Sequence, residues 1–172
     1  MTPLGAIVRG LVAGVIGTVA MDTLLFARFR RRGGETPFAD WELSKGIDSW
    51  DAAPAPAHVG KRLVEGLFQI ELPPKYVPLV NNVMHWGYGI GNAALYGIVA
   101  GSLPERRIRY GLPFGATVWS SGYVVLPAMK LYEPIWKYDR KTLADDLSAH
   151  LVYGLATAAG FQLLSRKEPS CR

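Results

Sequence analysis

Cysteine is nearly missing from this chain: there is one thiol in 172 residues, Cys171, next to the end. That excludes a disulfide framework and a thiolate metal site, so any metal would rest on His, Asp and Asn. Charge is scarce too, at 19% of residues, and it is unevenly spread. There is no G-x4-G-K-S/T loop, no dinucleotide fingerprint, no G-x-S-x-G elbow and no C-x2-C pair. Ser120 and Ser121 stand without the constellation a nucleophile needs, so the sequence leans away from catalysis.

Apolar character is what the chain has instead, with 49% hydrophobic residues and a mean hydropathy of +0.12. It gathers into four runs, residues 4–27, 80–103, 110–129 and 143–165. Each is about long enough to cross a ~30 Å hydrocarbon layer at ~1.5 Å per residue. A cleavable leader is set aside because apolar character resumes at Leu24-Leu25-Phe26, after the small residues Thr18-Val19-Ala20, and ends on a basic cluster. The formal charge of +5 and pI of 9.4 do not point to nucleic acid. The cations sit at run ends, at Arg28 and Arg30 to Arg32, at Arg106, Arg107 and Arg109, at Lys137, Arg140 and Lys141, and at Arg166 and Lys167, as lipid head-group anchors do.

The expected architecture is therefore all-α: one domain, residues 1–172, forming an integral membrane four-helix bundle whose first partner is the lipid bilayer. Residues 33–79 form a long loop that should carry amphipathic surface helices, the first opening at Thr36-Pro37. After Ala53-Pro54-Ala55-Pro56, the stripe Val59, Leu63, Leu67 and Ile70 recurs at helical spacing with Lys61, Arg62, Glu65 and Gln69 off it. That fits a helix lying on the membrane surface or packed on the end of the bundle. Pro127 should bend or end the third run.

Two stretches 65 residues apart repeat one phrase, His85-x2-Tyr88-Gly89 and His150-x2-Tyr153-Gly154, with Asn81 and Asp146 four residues upstream. One helical turn separates each histidine from its polar partner. Gly10 and Gly14 are echoed by Gly111 and Gly115. Together the echoes predict two tandem helical hairpins, in which Gly10, Gly14, Gly17, Gly89, Gly111, Gly115 and Gly154 let backbones approach closely. In this alignment Asp22 corresponds to Tyr123.

Because span direction alternates, Asp22, Asn81, His85, Tyr123, Asp146 and His150 are expected at similar depth near one membrane face. Three chemistries suit such a cluster. His85, His150, Asp22 and Asp146 could ligate a divalent metal through nitrogen and oxygen. Imidazoles beside carboxylates could relay protons or respond to pH. Haem held by both histidines needs them on opposite sides of the bundle. The competing class is a non-catalytic accessory or scaffold subunit whose glycine faces dock other membrane helices, its polar groups serving as hydrogen-bond glue. Four spans enclose little space, so a homo-oligomer or a partner membrane protein is expected.

The run Leu126-Pro127-Ala128-Met129 through Pro134, Trp136 and Tyr138 to Asp146-x3-His150-Leu151-Val152 resembles the YagU-like family of bacterial inner-membrane proteins of uncharacterised function. The resemblance is clearest over residues 123–155. It implies a multi-pass protein of the bacterial cytoplasmic membrane, an acid and a histidine at the places of Asp146 and His150, and a link to acid resistance. Cations on the cluster side outnumber those on the other, which leans toward both termini lying outside.

Overall fold

A computed structural model describes residues 1–166, which are helical with no strand among them. Lys167, Cys171 and Arg172 lie outside the described residues. Four long helices carry the architecture: α1 (Pro3–Arg31), α4 (Val77–Ser102), α5 (Gly111–Ala128) and α6 (Arg140–Ser165). Two shorter ones, α2 (Phe38–Glu42) and α3 (Ala55–Phe68), occupy the long loop. Helix α1 opens on a Thr2 cap with proline at N1, and α6 opens on Asp139, which accepts from the backbone N–H of Lys141 and Thr142 at 2.9 and 3.0 Å. Pro127 stands in the last turn of α5, which ends one residue later.

Helix α1 runs past the basic cluster to Arg31 rather than ending near Ala27. Charge does not interrupt a backbone ladder, and the chain turns only at Gly33, at a φ of 90°. By length and composition, α1 and α6 are apolar enough to cross a membrane. Helices α4 and α5 contain no Asp, Glu, Lys or Arg, but their Asn, His, Trp, Tyr, Pro and Ser residues lower their hydropathy below that test.

Helix α1 packs against both α4 and α6, and α6 also packs against α5. All three seams are antiparallel and made of small residues in backbone contact. A methyl group added at Gly10 or Gly14 would strike Ala93, one at Gly17 would strike Thr157 and Tyr153, and one at Gly154 would strike the backbone of Gly111 and Gly115. The second hairpin sits one helical turn off the register expected from its glycine echo. Gly111 meets Gly154 and Leu155, and the repeat counterparts of those residues, Gly89 and Ile90, are met by Gly14 rather than Gly10. Sequence spacing fixes which glycines face a partner, but interhelical contact fixes how far the helices slide.

The two ends of the helix array differ. At one end, Tyr96 packs on Phe114 and edge-on to Phe161 at 4.7 and 5.8 Å between ring centroids, closing an apolar core with Ala13, Ala100 and Ala158. At the other end lie Asp22, His85, Asp146 and His150. Helix α3 covers the start of α4 there, but through its small face: Ala57 and Gly60 are buried, Gly60 against Val80 and Met84. Leu63, Leu67 and Ile70 of the expected apolar stripe are exposed, as is Phe68.

Candidate functional site

Asp22 sits in the penultimate stretch of α1 with 2% of its surface exposed. A buried carboxylate is costly unless partnered, and its partner comes from α4: His85 Nε2 lies 3.0 and 3.1 Å from the two carboxylate oxygens. The antiparallel α1–α4 seam places them side by side, since Thr18 already touches Gly89 one turn earlier.

A third group joins from the long loop. Phe38 and Trp41 of α2 pack on Phe26 of α1 at 5.1 and 5.5 Å between centroids, and Trp41 also packs on Phe29. This aromatic patch delivers Glu42 to Asp22 and His85, so that ligand atoms of the three lie within 4.8 Å of one another. The indole N–H of Trp86 donates to Glu42 at 3.0 Å and fixes the carboxylate. Burial, reinforced by the negative charge of Asp22, pushes the Glu42 pKa above its ordinary value, while the Trp86 hydrogen bond and His85 pull the other way. Glu42 was not among the residues expected from sequence. Its one signal was Trp86, whose indole N–H beside His85 needs an acceptor when buried.

Asn81 stands at the first repeat's acidic position but does not enter this centre. It is buried and donates to Ser44 Oγ at 2.7 Å, tying the loop to α4 just before the turn at Ser44 and Gly46. Its other amide atom, Oδ1, has no hydrogen-bond partner.

The second repeat builds its pair within one helix. His150 Nδ1 donates to the Asp146 carbonyl at 2.9 Å and lies 3.4 Å from the Asp146 carboxylate. Trp119 and Tyr123 of α5 flank Asp146, and Tyr123 stacks with Tyr132 and Tyr138 of the α5–α6 connection. Tyr132 registers the arrangement: burial raises its phenol pKa, and the charge of Asp146 adds to the rise. Asp145, one residue earlier, is bound by Arg32 at 2.8 Å, while Arg28 bonds the Asp145 carbonyl and Ser148.

The metal set expected from sequence, His85, His150, Asp22 and Asp146, is therefore divided. Asp22 and His85 join Glu42, while Asp146 and His150 stand outside that group. Tyr123 faces Asp146 rather than corresponding to Asp22 across the hairpins, a consequence of the one-turn offset. Both imidazoles nevertheless line one cleft, with Thr18, Met21, Tyr88, Gly89, Val118 and Tyr153. Its volume is about 60 Å³. A few waters fit, at ~10–15 Å³ each by this measure. A haem does not, since pockets for ligands of that size run from ~300 Å³ upward. Thr18 Oγ1 is buried on this cleft with no hydrogen-bond partner, while the Tyr153 hydroxyl donates to the Gly89 carbonyl at 2.5 Å.

Residues 69–159 match the model of a family described as a protein of unknown function (DUF1440). No curated protein and no solved structure matches the chain. The matched segment contains both repeats, with His85 and His150, but neither Asp22 nor Glu42.

Proposed function

The chain belongs to the DUF1440 family of proteins of unknown function, and we propose that it is a four-span protein of the bacterial cytoplasmic membrane, YagU-like, whose helix interior holds a cation near one face for proton-linked or divalent-metal-linked work. The observation that carries this reading is an inverted distribution of polarity. Large aliphatic side chains face outward on every long helix, among them Leu4, Val8, Val12, Leu95, Val99, Val124 and Leu163, all at least 46% exposed. The interior holds glycine and alanine together with Asp22, Asn81, Thr18 and Thr157. A protein in water buries the first set and exposes the second, whereas one in lipid does the reverse. Only about a third of the most apolar window of α1, and 39% of that of α6, is buried. Helices α4 and α5 have no formal charge to keep them out of the bilayer. Ionisable groups inside such an array mark ion or proton sites.

The test combines topology with phenotype. In a Cys171→Ser background, cysteines placed at Glu35, Glu105 and Lys137 are probed with an impermeant maleimide in intact cells and in inverted vesicles. The four-span reading expects Glu35 and Lys137 to label from one side and Glu105 from the other. It also expects the inserted Asp22→Asn/His85→Gln double variant to fail to rescue a deletion strain under acid or divalent-metal stress. Same-side labelling of all three, release of the chain by alkaline carbonate, or full rescue by the double variant would overturn it.

A further inference from the structure

We propose that Asp22, Glu42 and His85 form a binding site for one divalent first-row transition metal, with its open coordination position facing the cleft between the two imidazoles. The site rests on the cation-centre reading above, but it uses a ligand from the long loop and leaves out Asp146 and His150.

Charge is the first argument. Two carboxylates and one imidazole converge where Asp22 is almost fully buried, and no lysine or arginine is among the groups acting on Glu42. With both carboxylates ionised, the centre carries an excess of one negative charge even when His85 is protonated. Either a proton held between the two carboxylates or a dication compensates it, and a dication would displace that proton.

Geometry is the second. The Nε2 atom of His85 and the Asp22 oxygens are 3.0 and 3.1 Å apart. Two ligands of zinc at ~2.0–2.1 Å in tetrahedral arrangement have donor atoms ~3.3 Å apart, so this pair already spans close to one coordination edge. Metal would replace the hydrogen bond, with His85 neutral and its remaining proton on Nδ1, and uptake would release any proton beyond that. Trp86 already orients Glu42 from outside, as a supporting hydrogen bond does at metal centres.

The third argument is independent of the acids. Thr18 Oγ1 is buried on the cleft that His85 lines, and it has no hydrogen-bond partner among the described residues. A buried hydroxyl left unsatisfied one helical turn from Asp22, on the cleft that His85 lines, fits a water or small anion held there beside the metal. Oxygen-rich donors with one nitrogen favour Zn, Mn or Fe in the divalent state and disfavour Cu(I).

The test uses the full chain in detergent, stripped with EDTA, re-equilibrated with Zn2+ or Mn2+ and assayed by elemental analysis and titration calorimetry. The expected result is one equivalent per chain. Asp22→Asn and Glu42→Gln, both nearly isosteric, should each weaken binding at least tenfold while circular dichroism is unchanged, and His85→Ala should abolish it. His150→Gln should keep the full equivalent. Absence of metal on the folded chain, or binding indifferent to Glu42→Gln, or binding lost with His150→Gln but kept with Glu42→Gln, would overturn the site. The four-span reading answers also to the labelling and carbonate experiments, which metal content does not touch, so the two can fail separately.

Discussion

The two hairpins speak the same phrase and solve it differently. In the second, His150 finds its acid four residues back on the same helix, at 3.4 Å, with side chains that remain 19% and 35% exposed. In the first, the matching position holds Asn81, and His85 takes its acid from another helix, at 3.0 Å, where Asp22 has a side chain only 3% exposed. The own-helix pair follows from local geometry and exists wherever α6 is helical. The cross-helix pair exists only once α1 and α4 have packed, so it reports assembly.

Perturbing each pair sharpens the contrast, and the seams beneath them come first in size. Gly154→Val forces a branched side chain into the backbones of Gly111 and Gly115, and we expect a loss of about 3 kcal/mol or more, read as failure to purify a monodisperse chain or as a large drop in thermal stability. Gly87→Val, where added atoms meet nothing, is the matched control. Next is Asp22→Ala, which takes away the acceptor of the His85 Nε2–H between α1 and α4 and should cost about 2 kcal/mol in detergent unfolding. Asp146→Ala should cost about 1 kcal/mol, because Asp146 is itself 35% exposed and its histidine sits one turn away on the same helix. Equal losses from the two would erase the distinction drawn between the hairpins. Of similar size is Ser44→Ala, which takes the acceptor from the buried amide N–H of Asn81 at a cost of about 1 kcal/mol. Its readout is faster amide exchange confined to the loop around α2.

These differences also mark where sequence reasoning reached its limit. Apolar runs, proline positions and glycine spacing set the four long helices to within a few residues, because each signal acts along a single helix. Asp22 and His85 were legible as neighbours because alternating span direction fixes depth. Glu42 was not, since its place depends on Phe26, Phe29, Phe38 and Trp41 meeting across the loop, a contact no local pattern encodes. The one-turn slip of the second hairpin was hidden for a related reason: Gly111 and Gly115 fit Gly154 and His150 as comfortably as Gly10 and Gly14 fit Ala93, and the choice lies in the fit of two surfaces. The stripe on α3 was legible for the helix and silent on its contact with α4. It correctly marked a helix, but the contact is made by Ala57 and Gly60, which periodicity in large residues passes over.

Helices α4 and α5 touch far less than the other neighbours do, meeting at a Tyr88–Ser121 hydroxyl pair 2.6 Å apart and at the Tyr96–Phe114 rings. The cleft that both imidazoles line, with Tyr88 on its wall, thus lies beside the sparsest of these contacts. The array should part along that line before any glycine seam loosens.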